Sequence, residues 1–375
     1  MCKIKKFIFI ILLFISFTSS PLFSQSELKT ITTNFNSQRG TILIQSELPT
    51  SNCFFLLDTG VSIPAIDNNC QNNIIKDEYK VSAGNPLIKN VNLNSASFPV
   101  YHGDILLSNL SNISNKLGVC LCGIIPIYFP GYEIYIDFGN EKITWRLIST
   151  ERKREKEKVF YEKLYFSPEQ PIPQVPVTLN SKISLLANID FVRSENIGIP
   201  MNIVNEKKIT NGKNKFARYK DGKVVQYFRL KTLRIGNQNF ENLLAVSVPG
   251  EKNAWIGTHF WRKSVIHISY EEAKLHLLKT GNYKEEIWTG IGIIPDYLSE
   301  QGWIIGVIED TPAWNKANLR GGECLQKIND FDVKNIKIEH LIQLLNSKPG
   351  TVLDCTFINQ VGSEIKTPLT AEEIL

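Results

Sequence analysis

The chain is poor in what most enzyme and binding classes depend on. It has five histidines, His102, His259, His267, His276 and His340. They stand in no metal-ligand spacing, and each reads as a strand or helix surface residue. There is no Ser-based nucleophile motif and no phosphate-cradling loop. No block of Lys or Arg stands without acids beside it and the net charge is only +5, so nucleic-acid binding has no electrostatic support. The apolar run Phe7–Phe17 is eleven residues long, short of the about twenty needed to span a bilayer. The cysteine spacings match no metal framework, and no cofactor is expected.

What is present begins with an address. Lys3, Lys5 and Lys6 precede the apolar run, and Thr18-Ser19-Ser20 follow it. That order is a secretory signal over residues 1–25, with cleavage after Ser24. Its removal takes away three lysines and no acids, so the net charge falls from +5 to +2. The expected location is the periplasm, cell envelope or exterior, with no membrane span left after cleavage. Cys53, Cys70, Cys120, Cys122, Cys324 and Cys355 remain and can oxidise there. Cys120 and Cys122 alternate on one strand face within reach of Cys70. Cys324 and Cys355 sit in apolar strand patterns and read as buried thiols.

Residues 27–280 read as short β-branched and aromatic runs cut by Asn, Gly, Ser and Pro, which predicts strands. Examples are Gly40–Gln45, Cys53–Leu57, Glu133–Ile136 and Lys142–Trp145. The alternating charges of ERKREKEKV within 150–160 predict a solvated linker. It separates a segment at 27–149 from one at 161–282. These two halves match: Glu133–Trp145 lies over Val265–Leu277 without a gap, and Val91–Phe98 over Leu233–Phe240. Gly123 of CGIIP falls on Gly257 of WIGTHF. Three blocks in one order imply an internal duplication.

From 287 to 375 the character changes. Ile338, Leu341, Ile342 and Leu345 recur at helical spacing. Strands flank them at Trp303–Ile308, Cys324–Ile328 and Val352–Ile358.

LLDTGVS, followed later by LCGIIP and the duplication, resembles the aspartic peptidases of the retropepsin and pepsin type. The resemblance implies a mainly β fold of duplicated acid-protease-like barrel lobes, with Asp58, Thr59, Gly60 and Ser62 on the catalytic loop. It places Leu121-Cys122-Gly123 on the apolar strand pair behind that loop. The tail resembles a small α+β PDZ domain, through Thr311-Pro312-Ala313, Ala317-Asn318-Leu319, Gly322-Glu323 and Ile328-Asn329. Asn318 suits a left-handed position. Gly290, Ile291, Gly292 and Ile293 resemble the PDZ loop that receives a peptide carboxylate. The whole is similar to exported bacterial proteins in which two such lobes precede a PDZ domain.

Peptide hydrolysis on this fold needs two carboxylates sharing one proton over a water. Thr59 and Ser62 are expected to hydrogen-bond the Asp58 carboxylate, and Gly60 to let the backbone turn closely. The second lobe has no recognisable copy of Asp-Thr-Gly. Laid ungapped on residues 56–60, Leu185-Leu186-Ala187-Asn188-Ile189 puts Ala187 on the aspartate and a β-branched residue on the glycine. Asp190, three residues on, is the candidate second carboxylate, with a turn or surface acid as the plainer reading. Tyr79–Pro86 and the basic stretch Asn211–Val225 are flap candidates; an exposed loop is the alternative for the latter. Two functions follow: an exported peptidase whose PDZ domain delivers substrates by their C-termini, or an inactive peptide-binding scaffold of the same fold.

Overall fold

The computed structural model of the chain describes residues 30–37, 40–47, 52–70, 87–93, 95–148, 161–166, 172–210, 214–280 and 287–375. The expected signal at 1–25, the charged run at 150–160 and the flap candidate Tyr79–Pro86 lie outside the described residues.

Turn residues cut the chain into short apolar runs, and these pair as strands. The first lobe holds β1 (Thr30–Asn34), β2 (Ile42–Gln45), β3 (Phe54–Asp58), β4 (Ala65–Asp67) and β5 (Leu87–Leu93). It continues with β6 (Tyr101–Ser108), the helix Ser111–Leu117, β7 (Leu121–Pro126), β8 (Tyr132–Asp137) and β9 (Lys142–Leu147). The second lobe opens with β10 (Tyr161–Lys163), β11 (Tyr165–Phe166), β12 (Pro173–Leu179), β13 (Ile183–Ile189) and β14 (Ile197–Gly198). Then come β15 (Asn214–Arg218), β16 (Val224–Ile235), β17 (Gln238–Ser247), β18 (Ala254–Ile256), β19 (Ser264–Ser269) and β20 (Lys274–Lys279).

The duplication extends well beyond the three matched blocks. The first-lobe sheet runs β2-β3-β7-β4-β6-β5, and the second repeats it as β12-β13-β18-β14-β17-β16. Strand directions repeat too: β3–β7 and β13–β18 are parallel, β4–β7 and β14–β18 antiparallel. An added β12–β16 pairing closes the second sheet into a barrel.

The two lobes meet in a shared sheet of order β1-β9-β8-β19-β20-β10. At its centre Tyr135 pairs with His267, the residue it matches in the sequence alignment, and their rings stack at 4.1 Å. The pseudo-two-fold axis therefore passes between them. This position buries His267, which lies 3.4 Å from Glu133, so the surface reading fails for this histidine. One hydrophobic core runs from Phe35 through both lobes to Leu277.

The C-terminal unit contains β21 (Thr289–Gly290), β22 (Ile293–Ser299), β23 (Gly302–Ile308), the helix Pro312–Asn315, β24 (Cys324–Ile328) and β25 (Phe331–Asp332). The helix Ile338–Leu345, β26 (Val352–Ile358), β27 (Glu364–Thr370) and β28 (Glu372–Glu373) complete it. Ile338, Leu341 and Leu345 enter its separate core, as their spacing predicts.

The stretch Asn211–Val225 is neither an exposed loop nor a free flap in its described part. β15 pairs with β16 on one side and with β23 on the other, through Ala217–Ile308 and Arg218–Val307. An ion pair between Arg218 and Glu309 adds to the join. The second lobe and the C-terminal unit thus share one continuous sheet.

Two disulfides form, Cys53–Cys120 and Cys70–Cys122, while Cys324 and Cys355 are buried free thiols. Of the neighbouring pair, Cys122 reaches Cys70 and Cys120 closes on Cys53.

Candidate active site

β3 lies between β2 and β7, so its apolar residues are covered on both edges and the chain emerges at Asp58. Asp58 stands in register with Pro126, and the Ile127 N–H donates to its carbonyl at 3.2 Å. The Cys53–Cys120 bond ties the starts of the same two strands. Asp58 Oδ1 accepts the Gly60 N–H at 2.6 Å. A methyl group at Gly60 would stand 3.2 Å from that oxygen. Neither hydroxyl of the loop bonds the carboxylate, against expectation. Thr59 is buried and its Oγ1 has no hydrogen-bond partner among the described residues, and Ser62 is exposed.

The second lobe builds a matching loop three residues later than the ungapped alignment put it. β13 continues through Ile189, and Ala187 is a fully buried mid-strand residue between Val175 and Ala254. Asp190 stands at the strand end, its N–H donating to Ile256 O at 3.0 Å. Its Oδ1 accepts the Val192 N–H at 3.0 Å and the Arg193 N–H at 3.3 Å, the same closure that Asp58 makes with Gly60. In both lobes the next strand begins seven residues after the aspartate, at Ala65 and at Ile197. Asp190-Phe191-Val192-Arg193-Ser194 therefore overlies Asp58-Thr59-Gly60-Val61-Ser62. The readable signal was that equal count, with a serine four residues after each aspartate.

The glycines sort differently from the alignment. Gly123 pairs with Phe55 and Ile66, upstream of Asp58; in the second lobe the register through β14 sets Trp255 against it, and the register through β13 sets Ala254. The small residue changes sides in the second lobe, where a methyl at Gly198 would fall 2.0 Å from the Trp255 ring. Gly123 thus supports the strand crossing and not the Asp58 loop. Gly257 lies under the Asp190 loop, where a methyl would come within 2.3 Å of Glu195 O and 2.6 Å of Arg193 O.

The two carboxyls are electrostatically unequal. Burial pushes Asp58 up to about 6, the Gly60 N–H opposes it, and the negative charge of Asp190 adds to the rise. Burial also raises Asp190, but the Val192 N–H, the Arg193 cation and the Arg193 N–H all favour its charge. Arg193 Nε lies 3.7 Å from Asp190, and its guanidinium also bonds Glu251 at 2.7 Å and covers the Trp255 ring at 4.7 Å. The first lobe has Val61 at the corresponding position. When the pair carries one proton, Asp58 is its better holder and Asp190 the better anion. On the Asp58 side, Tyr270 of the second lobe lies tilted against Tyr128, ring centroids 4.7 Å apart, and its buried hydroxyl has no hydrogen-bond partner among the described residues.

In the C-terminal unit, a methyl at Gly290 would lie 2.1 Å from Leu345 O and one at Gly292 2.0 Å from Thr311 Oγ1, both at positive φ. Only glycine fits there. Ile291 between them is buried and donates its N–H to Leu345 O at 3.3 Å, and Ile293 begins β22. Asn318 adopts φ 55°, the left-handed position expected of it. Among the described residues the one cluster with metal-like spacing is Cys53, Cys70 and Cys122, and all three are in disulfides.

No protein-family model and no curated protein matches this chain. Among solved structures, the chain is similar to the aspartic proteinase from Irpex lacteus at 12% identity, covering 68% of this chain and 99% of that one with a TM-score of 0.42. It is also similar to Basic 7S globulin from soybean at 8% identity, covering 68% of this chain and 95% of that one with a TM-score of 0.41.

Proposed function

We propose that the chain is an exported aspartic-type endopeptidase in which Asp58 and Asp190 share one proton over a water, and in which residues 287–375 act as a PDZ domain for peptide C-termini. The observation that carries the reading is that Asp58 and Asp190 end equivalent strands of the two lobes, seven residues before the next strand, and close their loops alike on an N–H two residues ahead. The Asp190 charge also adds to the rise of the Asp58 carboxyl. Ionised Asp190 takes a proton from the water, whose oxygen bonds to the scissile carbonyl carbon. Asp58 gives its proton to the carbonyl oxygen. The tetrahedral adduct then collapses, the amide nitrogen taking the proton from Asp190 as the C–N bond breaks and the hydroxyl proton returning to Asp58. The PDZ part of the reading is supported by the glycine conformations at Gly290 and Gly292, and by β22 lying beside the helix Ile338–Leu345. Export is supported by the basic and apolar order of residues 1–25.

A second reading, a peptide holder without catalysis, is favoured by Phe191-Val192 in place of Thr-Gly and by the unpartnered Thr59 hydroxyl. Purified protein incubated with casein near pH 5 separates the two. Cleavage that disappears in both Asp58→Asn and Asp190→Asn supports the peptidase. Cleavage that survives in either variant, or its absence from the unaltered protein, leaves the holder.

A further inference from the structure

The first-lobe helix Ser111–Leu117 is short and lightly held. It has seven residues, no side-chain cap at its start and no fully buried residue. A helix of that length does not stand by itself in water and depends on what packs around it. Its hydrogen-bonded ties are few: the Leu110 N–H donates to buried Asp67 Oδ2 at 2.8 Å, and Ser114 Oγ accepts the Leu121 N–H at 3.3 Å. The chain then passes through residues 118–120 straight into β7, the strand paired with the Asp58 strand β3.

This helix packs on two things at once. Ile113 and Leu117 rest on a small core of Leu43, Leu56, Leu110, Leu121 and Ile124, and Val61 and Val192 rest on the same core. Val61 belongs to the Asp58 loop, and the Val192 N–H closes the Asp190 turn. Loops of both lobes therefore share one cluster that the helix helps to cover. The helix also packs against β22 of the C-terminal unit, as does the helix Ile338–Leu345. β22 bulges between Pro295 and Tyr297. Burial raises the carboxyl of Asp296 at the bulge, and the largest charge effect opposing the rise comes from Lys116 in the last turn of the helix. Lys223 opposes it as well and Asp221 adds to it, both from the turn between β15 and β16. Lys116 and Leu117 line a cavity of about 860 Å³ together with Ile293–Asp296, Ile338, Ile342 and Leu345. The end of the helix thus borders the space beside β22 that a peptide strand would take on the PDZ reading.

We propose that the helix Ser111–Leu117 links the C-terminal unit to both aspartate loops: β22 holds it against their shared core, and a peptide tail added to β22 displaces it and loosens the loops. The second half of the proposal rests on the PDZ reading; the first half does not. A strand beside β22 and the helix compete for one place, so tail binding and ordered loops oppose each other, whichever is altered first. A short helix without buried residues is the element that such competition moves most easily. A bound C-terminus is then a brake on the Asp58–Asp190 site. Each peptide bond cleaved creates a new free C-terminus, so accumulating products restrain further cleavage.

The test is amide hydrogen exchange of the purified protein, read by mass spectrometry over residues 58–62, 111–117 and 190–194. Asp296→Arg sets like charge against Lys116 and should speed exchange in all three segments by about threefold or more, the reach of a surface charge pair. Lys116→Glu, at an exposed position, should do the same from the helix side, and the swap Lys116→Glu/Asp296→Arg should restore the slow rate. Exchange unchanged in the single variants, faster in the helix but not in both loops, or still fast in the swap overturns the link. The second half is read with an octapeptide ending in Val, its Kd measured by anisotropy. At about ten times that Kd the free-ended peptide should speed exchange in the same segments about tenfold, the mass-action shift of a ligand that binds only the displaced form. It should also lower kcat on a quenched substrate with an amidated end, and the amidated octapeptide should do neither. A free-ended peptide that binds and leaves the three segments unmoved overturns the brake, while the PDZ reading stands. If free and amidated ends bind alike, or neither binds, the PDZ reading and the brake both fall, and the charge variants decide the link alone. Absence of cleavage removes the peptidase reading and leaves the exchange result to decide both halves.

Discussion

Burial raises the carboxyl of Asp58, at the end of β3, and the negative charge of Asp190, at the end of β13, adds to the rise. The two residues are brought together by the repeated strand order of the lobes and by a shared sheet whose axis runs between Tyr135 and His267. Each aspartate closes its own turn by accepting an N–H two residues ahead. The asymmetry lies in what surrounds them. Arg193 accompanies Asp190, and nothing cationic accompanies Asp58 in the first loop.

On the peptidase reading, that asymmetry predicts how cleavage depends on pH. Loss of the Asp58 proton leaves two anions, so kcat/KM should fall on the alkaline side with a midpoint near about 6. Arg193→Gln removes the cation that favours ionised Asp190, so its carboxyl titrates at higher pH and the acid limb moves up, narrowing the profile. A profile of kcat/KM from pH 3 to pH 8 on a quenched peptide checks both limbs. An acid limb unmoved by the substitution would show that Arg193 does not tune Asp190.

Asp58 should also cost stability once it ionises. Its folded carboxyl titrates near about 6 against the ordinary 3.8. The protonated group is therefore harmless below pH 4, and stability is lost as the pH rises through 6. Asp58→Asn has no such loss, so it should match the unaltered protein at pH 3.5 and exceed it by about 3 kcal/mol at pH 8, at about 1.4 kcal/mol per tenfold change in proton affinity. Urea unfolding at the two pH values measures the difference.

The Cys53–Cys120 bond closes a loop of 67 residues between the starts of β3 and β7. Chain-entropy reasoning gives about 4 kcal/mol for a loop of that length. The double variant Cys53→Ser/Cys120→Ser should lose stability of that order, read as a lower urea midpoint. Its Asp58 loop should become more open to protease than the Asp190 loop, which has no such tie.

Gly257 carries the Asp190 loop on its bare α-carbon. A methyl group there meets the carbonyl oxygens of Glu195 and Arg193 at 2.3 and 2.6 Å, and both are backbone. Gly257→Ala should destabilise the fold by about 2 kcal/mol or more, the range of overpacked and strained sites. Gly222→Ala is a control for loss of backbone freedom without contact, since nothing lies within 4 Å of that position. Thermal melts of the two variants separate clash from strain.

Much of the fold was legible because its signals are local. Alternation and turn residues marked β8, β9, β24 and β26, and helical spacing marked Ile338–Leu345. The duplication was legible where both copies kept the same strand pattern, as at β8–β9 and β19–β20. The second candidate acid was misphased because β13 runs on past the point where β3 stops. An ungapped match therefore set a buried mid-strand alanine against Asp58. Counting back from the next strand restores the phase, yet nothing local says which end of a loop to count from. His267 reads as a surface histidine until the partner lobe covers it.

By itself the amino-acid sequence determined a β-rich, two-lobed chain with Asp58 at the tip of a buried strand and an α+β unit after it. Those features follow from hydrophobic periodicity and turn chemistry among near neighbours. Only the tertiary structure decided that Asp190 ends the strand equivalent to that of Asp58 and acts on its charge, that Cys120 closes on Cys53, and that β15 pairs with β23. Each of these joins residues far apart in the chain, and charge coupling, sulfur bonding and strand pairing all act at short range in space.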